Sequence, residues 1–344
     1  MKWNVFGFVL MLAALVAAPL GIAGAWGGSF AQKAEDKDEY RLEGPFTHGN
    51  LSVFLVHGKD KIKGSFLTLE EALIQKKVIV RETRSVNQLT IRNVSGEDVY
   101  VQSGDIVKGG QQDRMIGVDL ILPPRSGDIP IDAFCVEHGR WSQRGNESST
   151  VFNSSANTVA SREVKLAAKL KSSQGDVWRE VSVAQDKLTK NVGEGVTNND
   201  SPSSFQLTLE NKNVQQTADD YMKALSGIVG GRSDVIGYVF AINGKVNSAD
   251  VYASSALFNK LWPKLLKASA IEAVAELRRD QKFAPPSTEE VRGLLDDSKA
   301  DEKQKDVTPR VQVVTRESTG NVSFETRDRA RGDAVVHKNY IKKN

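Results

Sequence analysis

The chain has 344 residues, with 46 basic and 43 acidic side chains, a formal charge of +3, a hydrophobic fraction of 40% and a mean hydropathy of -0.36. This is globular composition, long enough to bury a core that needs no disulfide or metal staple. The near balance of charge argues against nucleic acid as a partner, since phosphate neutralisation needs clustered Lys and Arg; a single cysteine, Cys135, excludes a disulfide framework and a Cys-rich zinc site, and four histidines leave little for a His-based one.

Residues 1–25 have the pattern of an export signal: Lys2 in front, an apolar run from Phe6 to Leu20 with Pro19 near its end, and Ala23-Gly24-Ala25 as a small-x-small cleavage site. Cleavage is predicted after Ala25, with Ser29-Phe30-Ala31 as a second candidate, giving a periplasmic or secreted protein. The competing reading is an uncleaved anchor, and a membrane is a partner only in that case. No cysteine follows the run, which excludes a lipoprotein anchor.

Residues 26–39 read as a flexible polar segment, and Tyr40 to Trp141 as β-rich. Asn50–His57 is a strand of β-branched and aromatic residues between Gly49 and Gly58. Phe66–Lys76 is a short helix that Thr68 can cap with Glu71 three residues on. Val78–Glu82, Gln88–Asn93, Val99–Gln102, Met115–Leu122 and Ile129–Val136 alternate and break at polar turns, as in a sandwich or barrel. Residues 142–158 are Ser/Asn-rich and are expected not to pack.

The period then becomes helical over 159–170, 177–188 and 214–225. Val235–Ile242 and Lys245–Val251 flank Asn243-Gly244, the dipeptide favoured in a type I′ hairpin. Ser254 or Ser255 caps a helix through Leu265–Ala268, and a second segment follows over Ile271–Arg279, with Pro263 read as early enough to be tolerated. Residues 285–308 read as a charged linker, with the 289–306 part either a solvated helix or a mobile linker, and 309–344 as strands completing the same domain as 40–284: a hairpin of Val311–Arg316 and Val322–Arg327, then Ala334–Ile341. The predicted fold class is α+β: a mostly antiparallel sandwich or barrel-like sheet built from the N-terminal half and the C-terminal hairpins, with a group of helices packed against it.

Three stretches carry a resemblance. They are Ser103-Gly104-Asp105-Ile106-Val107-Lys108-Gly109-Gly110-Gln111-Gln112-Asp113-Arg114, then Leu122-Pro123-Pro124-Arg125-Ser126, then Cys135-Val136-Glu137-His138-Gly139-Arg140-Trp141. With Gln174-Gly175-Asp176-Val177-Trp178, the hairpin around Asn243-Gly244 and Leu257–Leu266, the chain resembles the ARG and rhodanese-phosphatase-superfamily-associated protein (ARPP) domain, a bacterial family without an established activity. The resemblance spans roughly Tyr40 to Ala284 plus a terminal strand near His337, and the family's name evokes ADP-ribose chemistry.

The candidate site is drawn from the two most polar of these stretches. In the glycine-bearing loop, Gly109 and Gly110 permit close backbone approach, and successive N–H groups there can cradle an anion. Lys108 and Arg114 add positive charge, and Gln111 and Asp113 add directional hydrogen bonds. The loop lacks the spacing of a nucleotide P-loop. Glu137, Arg140 and Trp141 close the second stretch, and Glu137 or Asp113 could serve as a general base if burial raised its pKa. The competing reading is structural: a tight β-corner, an Asp113–Arg140 or Arg114–Glu137 ion pair, and Trp141 in the core. Cys135 reads as a buried structural thiol. No nucleophile–base pair, metal spacing or cofactor fingerprint stands out, so the expected function is an exported binding or scaffold protein without cofactor. The alternative is a hydrolase or binding protein for an anionic, ADP-ribose-like small molecule.

Overall fold

The computed structural model describes residues 40–296 and 300–343, with the backbone alone at 154–157. The predicted export signal and the 26–39 segment lie outside the described residues. Strands β1 (Arg41–His48) and β2 (Leu51–His57) open the fold. A two-residue strand, β3 (Leu67–Thr68), enters helix α1 (Leu69–Ile74). The predicted capping box is present: the Thr68 hydroxyl accepts from the Glu71 N–H at 3.2 Å, and the Glu71 carboxylate accepts from the Thr68 N–H at 2.9 Å. Then come β4 (Val78–Ser85), β5 (Gln88–Asn93), β6 (Val99–Val101), β7 (Asp105–Gly109), β8 (Arg114–Ile116), β9 (Leu120–Leu122) and β10 (Ile129–Cys135).

The Ser/Asn-rich stretch does not stay unpacked. It supplies β11 (Val151–Val159), which pairs with β4 on one side and β7 on the other. The open edges of those two strands need partners, and Phe152 and Val159 bury apolar surface as β11 supplies them, so long-range pairing overrides a polar composition. Helices α2 (Arg162–Lys169), α3 (Gln174–Val192), α4 (Phe205–Leu209) and α5 (Lys212–Leu225) follow. The predicted hairpin is β12 (Val235–Ile242) and β13 (Lys245–Tyr252), with Asn243 at φ 52° and Gly244 at φ 73°, the positive pair that a type I′ turn requires.

One expectation for the C-terminal third is corrected. The split helix is one continuous element, α6 (Ser255–Ala275), with Pro263 in its third turn. Pro263 removes one backbone donor, but α6 is buried on nearly all sides, and that packing outweighs the lost bond. The charged 285–308 stretch contains α7 (Thr288–Leu295), begun by a Ser287/Glu290 capping box, and β14 (Asp301–Asp306). Every residue of β14 is exposed, and its DEKQKD sequence is what an edge strand uses to discourage further pairing. The chain ends with β15 (Val311–Glu317), β16 (Asn321–Asp328) and β17 (Ala334–Lys342).

The fold is α+β. An eight-stranded antiparallel sheet runs β1-β2-β12-β13-β17-β16-β15-β14, so the C-terminal strands join the sheet that the N-terminal hairpin starts. A closed barrel runs β10-β5-β4-β11-β7-β8, and a small sheet runs β3-β6-β9. Helix α6 contacts β12 of the large sheet and β11 of the barrel. Both faces of β2 are covered: Leu51, Val53 and Leu55 join the helix-side core, while Phe54 and Val56 join a cluster under α7. The uninterrupted apolar run Val53–Val56 reflects that double burial.

Candidate functional site

Barrel register brings the two predicted polar stretches together. Strand β8 pairs with β10 so that Arg114 lies opposite Cys135, and the chain on either side runs on alongside. The Val136 N–H donates to the Asp113 carbonyl at 3.0 Å, and the Glu137 carboxylate accepts from the Asp113 N–H at 3.0 Å. Gly109 (φ 125°) and Gly110 (φ 59°) turn the chain out of β7, and Asp113 ties that turn by accepting from the Gly109 N–H at 3.1 Å. A side chain at 110 would have to adopt left-handed backbone and place its Cβ 2.3 Å from Phe152 Cζ, so glycine is demanded there.

The two carboxylates are fully buried, at 0% exposure each, and closed off by donors. Both Asp113 oxygens accept from Arg144, at 2.8 and 2.9 Å, and Oδ2 also accepts from the Ser204 hydroxyl at 2.8 Å. Glu137 accepts two bonds from the Arg140 guanidinium, both 2.6 Å, and one from the Ser201 hydroxyl. Arg144 stands 3.5 Å from Glu137 and bonds Glu147, and Arg140 lies 4.0 Å from Asp113, so the pairs form one network. Burial, the largest influence, raises the Asp113 carboxyl, and the nearby Glu137 charge adds to it against the pull of Arg144 and Ser204. Burial pushes Glu137 up too, but Arg140, Ser201 and the Asp113 N–H outweigh it and hold that carboxyl below its usual range.

The remaining predicted residues point elsewhere. Arg114 is the first residue of β8, and its side chain turns away from the network that Asp113 enters. Its guanidinium bonds Glu82 at 3.3 Å, the Val86 carbonyl at 3.0 Å and the Cys135 sulfur, and sits 5.2 Å from the centre of the Trp141 ring. The suggested Arg114–Glu137 pair therefore does not form, and Trp141 is no core residue: it is 44% exposed. Lys108 reaches Glu210 at 2.6 Å, and Gln111 reaches the Ser149 carbonyl at 3.4 Å. Cys135 is buried, and burial pushes its thiol up to about 11. Arg144, Ser201 and Ser204 were not foreseen. They come from loops whose polarity reads as solvent exposure.

A second polar cluster lies beneath α2. Its centre is His337. Its Nδ1 meets Asp119 at 2.6 Å and its Nε2 meets Asp250 at 3.0 Å, with the Tyr252 ring stacked on it at 4.4 Å. Asp119 also accepts from the Ser103 N–H at 2.7 Å, the Thr326 hydroxyl at 2.9 Å and the Tyr100 hydroxyl at 3.1 Å. Burial opposes ionisation of both carboxyls. The cations His337 and Lys169, with the Ser103 N–H, win at Asp119, and Lys165, His337 and Lys169 win at Asp250. Burial lowers His337, but the two flanking carboxylates overcome it and raise its pKa. Burial brings Lys169 down to about 8. The legible signal was a charge inside an apolar strand run: Asp119 before Leu120-Ile121-Leu122, and Asp250 before Val251-Tyr252.

A cleft of about 120 Å³ opens beside this cluster, lined by Asp119 and Lys169 among others. Among the described residues no group of three or more His, Cys, Asp or Glu is placed to hold a metal ion, and no helix is long and apolar enough to cross a membrane.

Residues 39–341 match the ARG and Rhodanese-Phosphatase-superfamily-associated Protein domain, and the chain belongs to that family. No curated protein and no solved structure matches it.

Proposed function

We propose that this protein is an exported, non-catalytic binding or scaffold module in which the 103–114 and 137–141 segments act as an internal brace. One observation carries the reading. Asp113 and Glu137 are excluded from solvent, and each carboxylate oxygen accepts two hydrogen bonds from the protein itself. A general base needs a free lone pair within reach of a substrate proton, and a nucleophilic thiol needs a lowered pKa. The geometry of these carboxylates and the burial of Cys135 both run the other way. Export is supported by the charge, apolar run and small-x-small pattern of residues 1–25.

The alternative, a hydrolase or binding protein for an anionic, ADP-ribose-like molecule on the same segments, requires Arg140 or Arg144 to leave a buried carboxylate. Thermal-shift titration of the full chain with ADP-ribose and nucleoside diphosphates separates the two. The brace reading expects no rise in Tm with any of them, and a large fall in Tm for Asp113→Ala without ligand. A ligand-dependent rise that Glu137→Gln abolishes in a folded protein would overturn it. Amino-terminal sequencing of exported material tests the leader, and a chain still beginning at Met1 rejects cleavage.

A further inference from the structure

The cluster beneath α2 is unbalanced in charge. Two buried carboxylates, Asp119 and Asp250, face three cations: His337 between them, and Lys165 and Lys169 one turn apart on α2. The adjoining Asp105 and Lys264 satisfy each other at 2.5 Å and leave the excess unchanged. Lys165 is only 7% exposed and acts on Asp250 through its charge. Among the described residues Lys169 has a single hydrogen bond, to the Asn339 side-chain oxygen at 2.9 Å, and its ammonium lies 4.2 Å from the centre of the Phe324 ring. An amide oxygen and a ring face are weak compensation for a desolvated ammonium.

The cleft gives that excess charge an outlet. Lys169 and Asp119 stand in its wall beside Thr326, while Phe134, Val313 and Phe324 make an apolar side. Asp119 is already engaged by His337, Thr326, Tyr100 and the Ser103 N–H, so it offers little repulsion to an incoming anion. Lys305 and Asp132, both exposed, pair with each other at 3.2 Å and also line the cleft. A dry cavity of roughly 150 Å³ admits a benzene-sized molecule, so the present cleft suits a ligand of about six heavy atoms.

We propose that this cleft binds a small organic monocarboxylate, with its anionic head on the Lys169 ammonium and its short apolar body against Phe134, Val313 and Phe324. Inorganic phosphate would satisfy the charge and leave the apolar side unfilled. The proposal supplies a ligand class for the binding role above but uses no residue of the Asp113–Glu137 brace, so the two succeed or fail separately.

The test is calorimetric titration of the full chain with butyrate, its neutral isostere butyramide, and inorganic phosphate, in a carboxylate-free buffer. Butyrate is expected to bind at least tenfold more tightly than either of the others. Lys169→Met should weaken butyrate at least tenfold, and Lys169→Arg should retain most of the binding. Val313→Phe, which fills the cleft and leaves every charge in place, should block butyrate even if Lys169→Met fails to fold. Butyramide binding as well as butyrate, phosphate binding better than butyrate, or butyrate binding unimpaired in folded Val313→Phe would each overturn the proposal.

Discussion

The strongest consequence of the brace concerns what happens when either half of the Asp113–Arg144 pair is removed. In Asp113→Ala four hydrogen bonds disappear and the Arg144 guanidinium, itself buried, keeps only Glu147, the more distant Glu137 and a long bond to Ser204. Removing one partner of a buried ion pair costs about 3–5 kcal/mol. For a body of roughly 300 residues that corresponds to a fall in Tm of roughly 5–8 °C. Arg144→Met strands the opposite partner, and here the two variants part company with pH. A guanidinium cannot shed its charge, whereas a carboxyl can take up a proton, and burial already raises that of Asp113. In Arg144→Met the folded-state pKa of Asp113 rises further above its unfolded value. The ionised form is then the destabilised one, and the deficit shrinks as pH falls through that folded value. Thermal denaturation at pH 8 and pH 5 therefore shows a gap from wild type that narrows at pH 5 for Arg144→Met and not for Asp113→Ala. Variants that both stay within about 1 °C of wild type, or that share the same pH dependence, would refute the brace.

His337 has a folded-state pKa above its unfolded 6.5, so its contribution is complete below pH 6.5 and is lost as pH rises through the folded value. The Tm gap between wild type and His337→Gln is expected to close progressively on the alkaline side; a gap constant from pH 5.5 to 9 contradicts this. Glu272, raised from 4.5 to about 7 by burial and the neighbouring Glu163 charge, also makes stability fall as pH rises, but between those two values, so Glu272→Gln should flatten the fall in Tm over that more acidic window. Gly110→Ala combines left-handed backbone with a Cβ 2.3 Å from Phe152 and 2.9 Å from Glu82, and should cost about 2–4 kcal/mol in urea denaturation. A change below 0.5 kcal/mol, within the usual scatter of surface substitutions, would show that the loop can open. The Cys135 thiol, buried and pushed up to about 11, should resist iodoacetamide at pH 8 in the native protein and react promptly in urea; equal rates in both states would contradict its burial.

What the sequence discloses here follows the range of the interactions involved. The Thr68/Glu71 capping box and the Asn243-Gly244 turn are set by residues within three or four positions of each other, and both are present where the pattern puts them. Strand β11 is legible only once β4 and β7 are known to need a partner, because its pairing spans far more chain than its own composition reflects. The candidate site divides the same way. That residues 113 and 137 meet follows from β8 lying beside β10, but the choice of partners does not: a two-residue period carried past Cys135 would put Glu137 on the face of Arg114, and only the bend that follows β10 turns Glu137 to the Asp113 N–H instead. The identity of the partners could not be read, because Arg144, Ser201 and Ser204 sit in loops whose sequence fixes no direction. His337 is the extreme case: its two carboxylates lie 218 and 87 positions away. A carboxylate in an apolar strand does announce that some buried cation must answer it, since an unanswered one would not stay ionised. Asp119 and Asp250 made that demand in the sequence, and the fold answers with one more cation than they require.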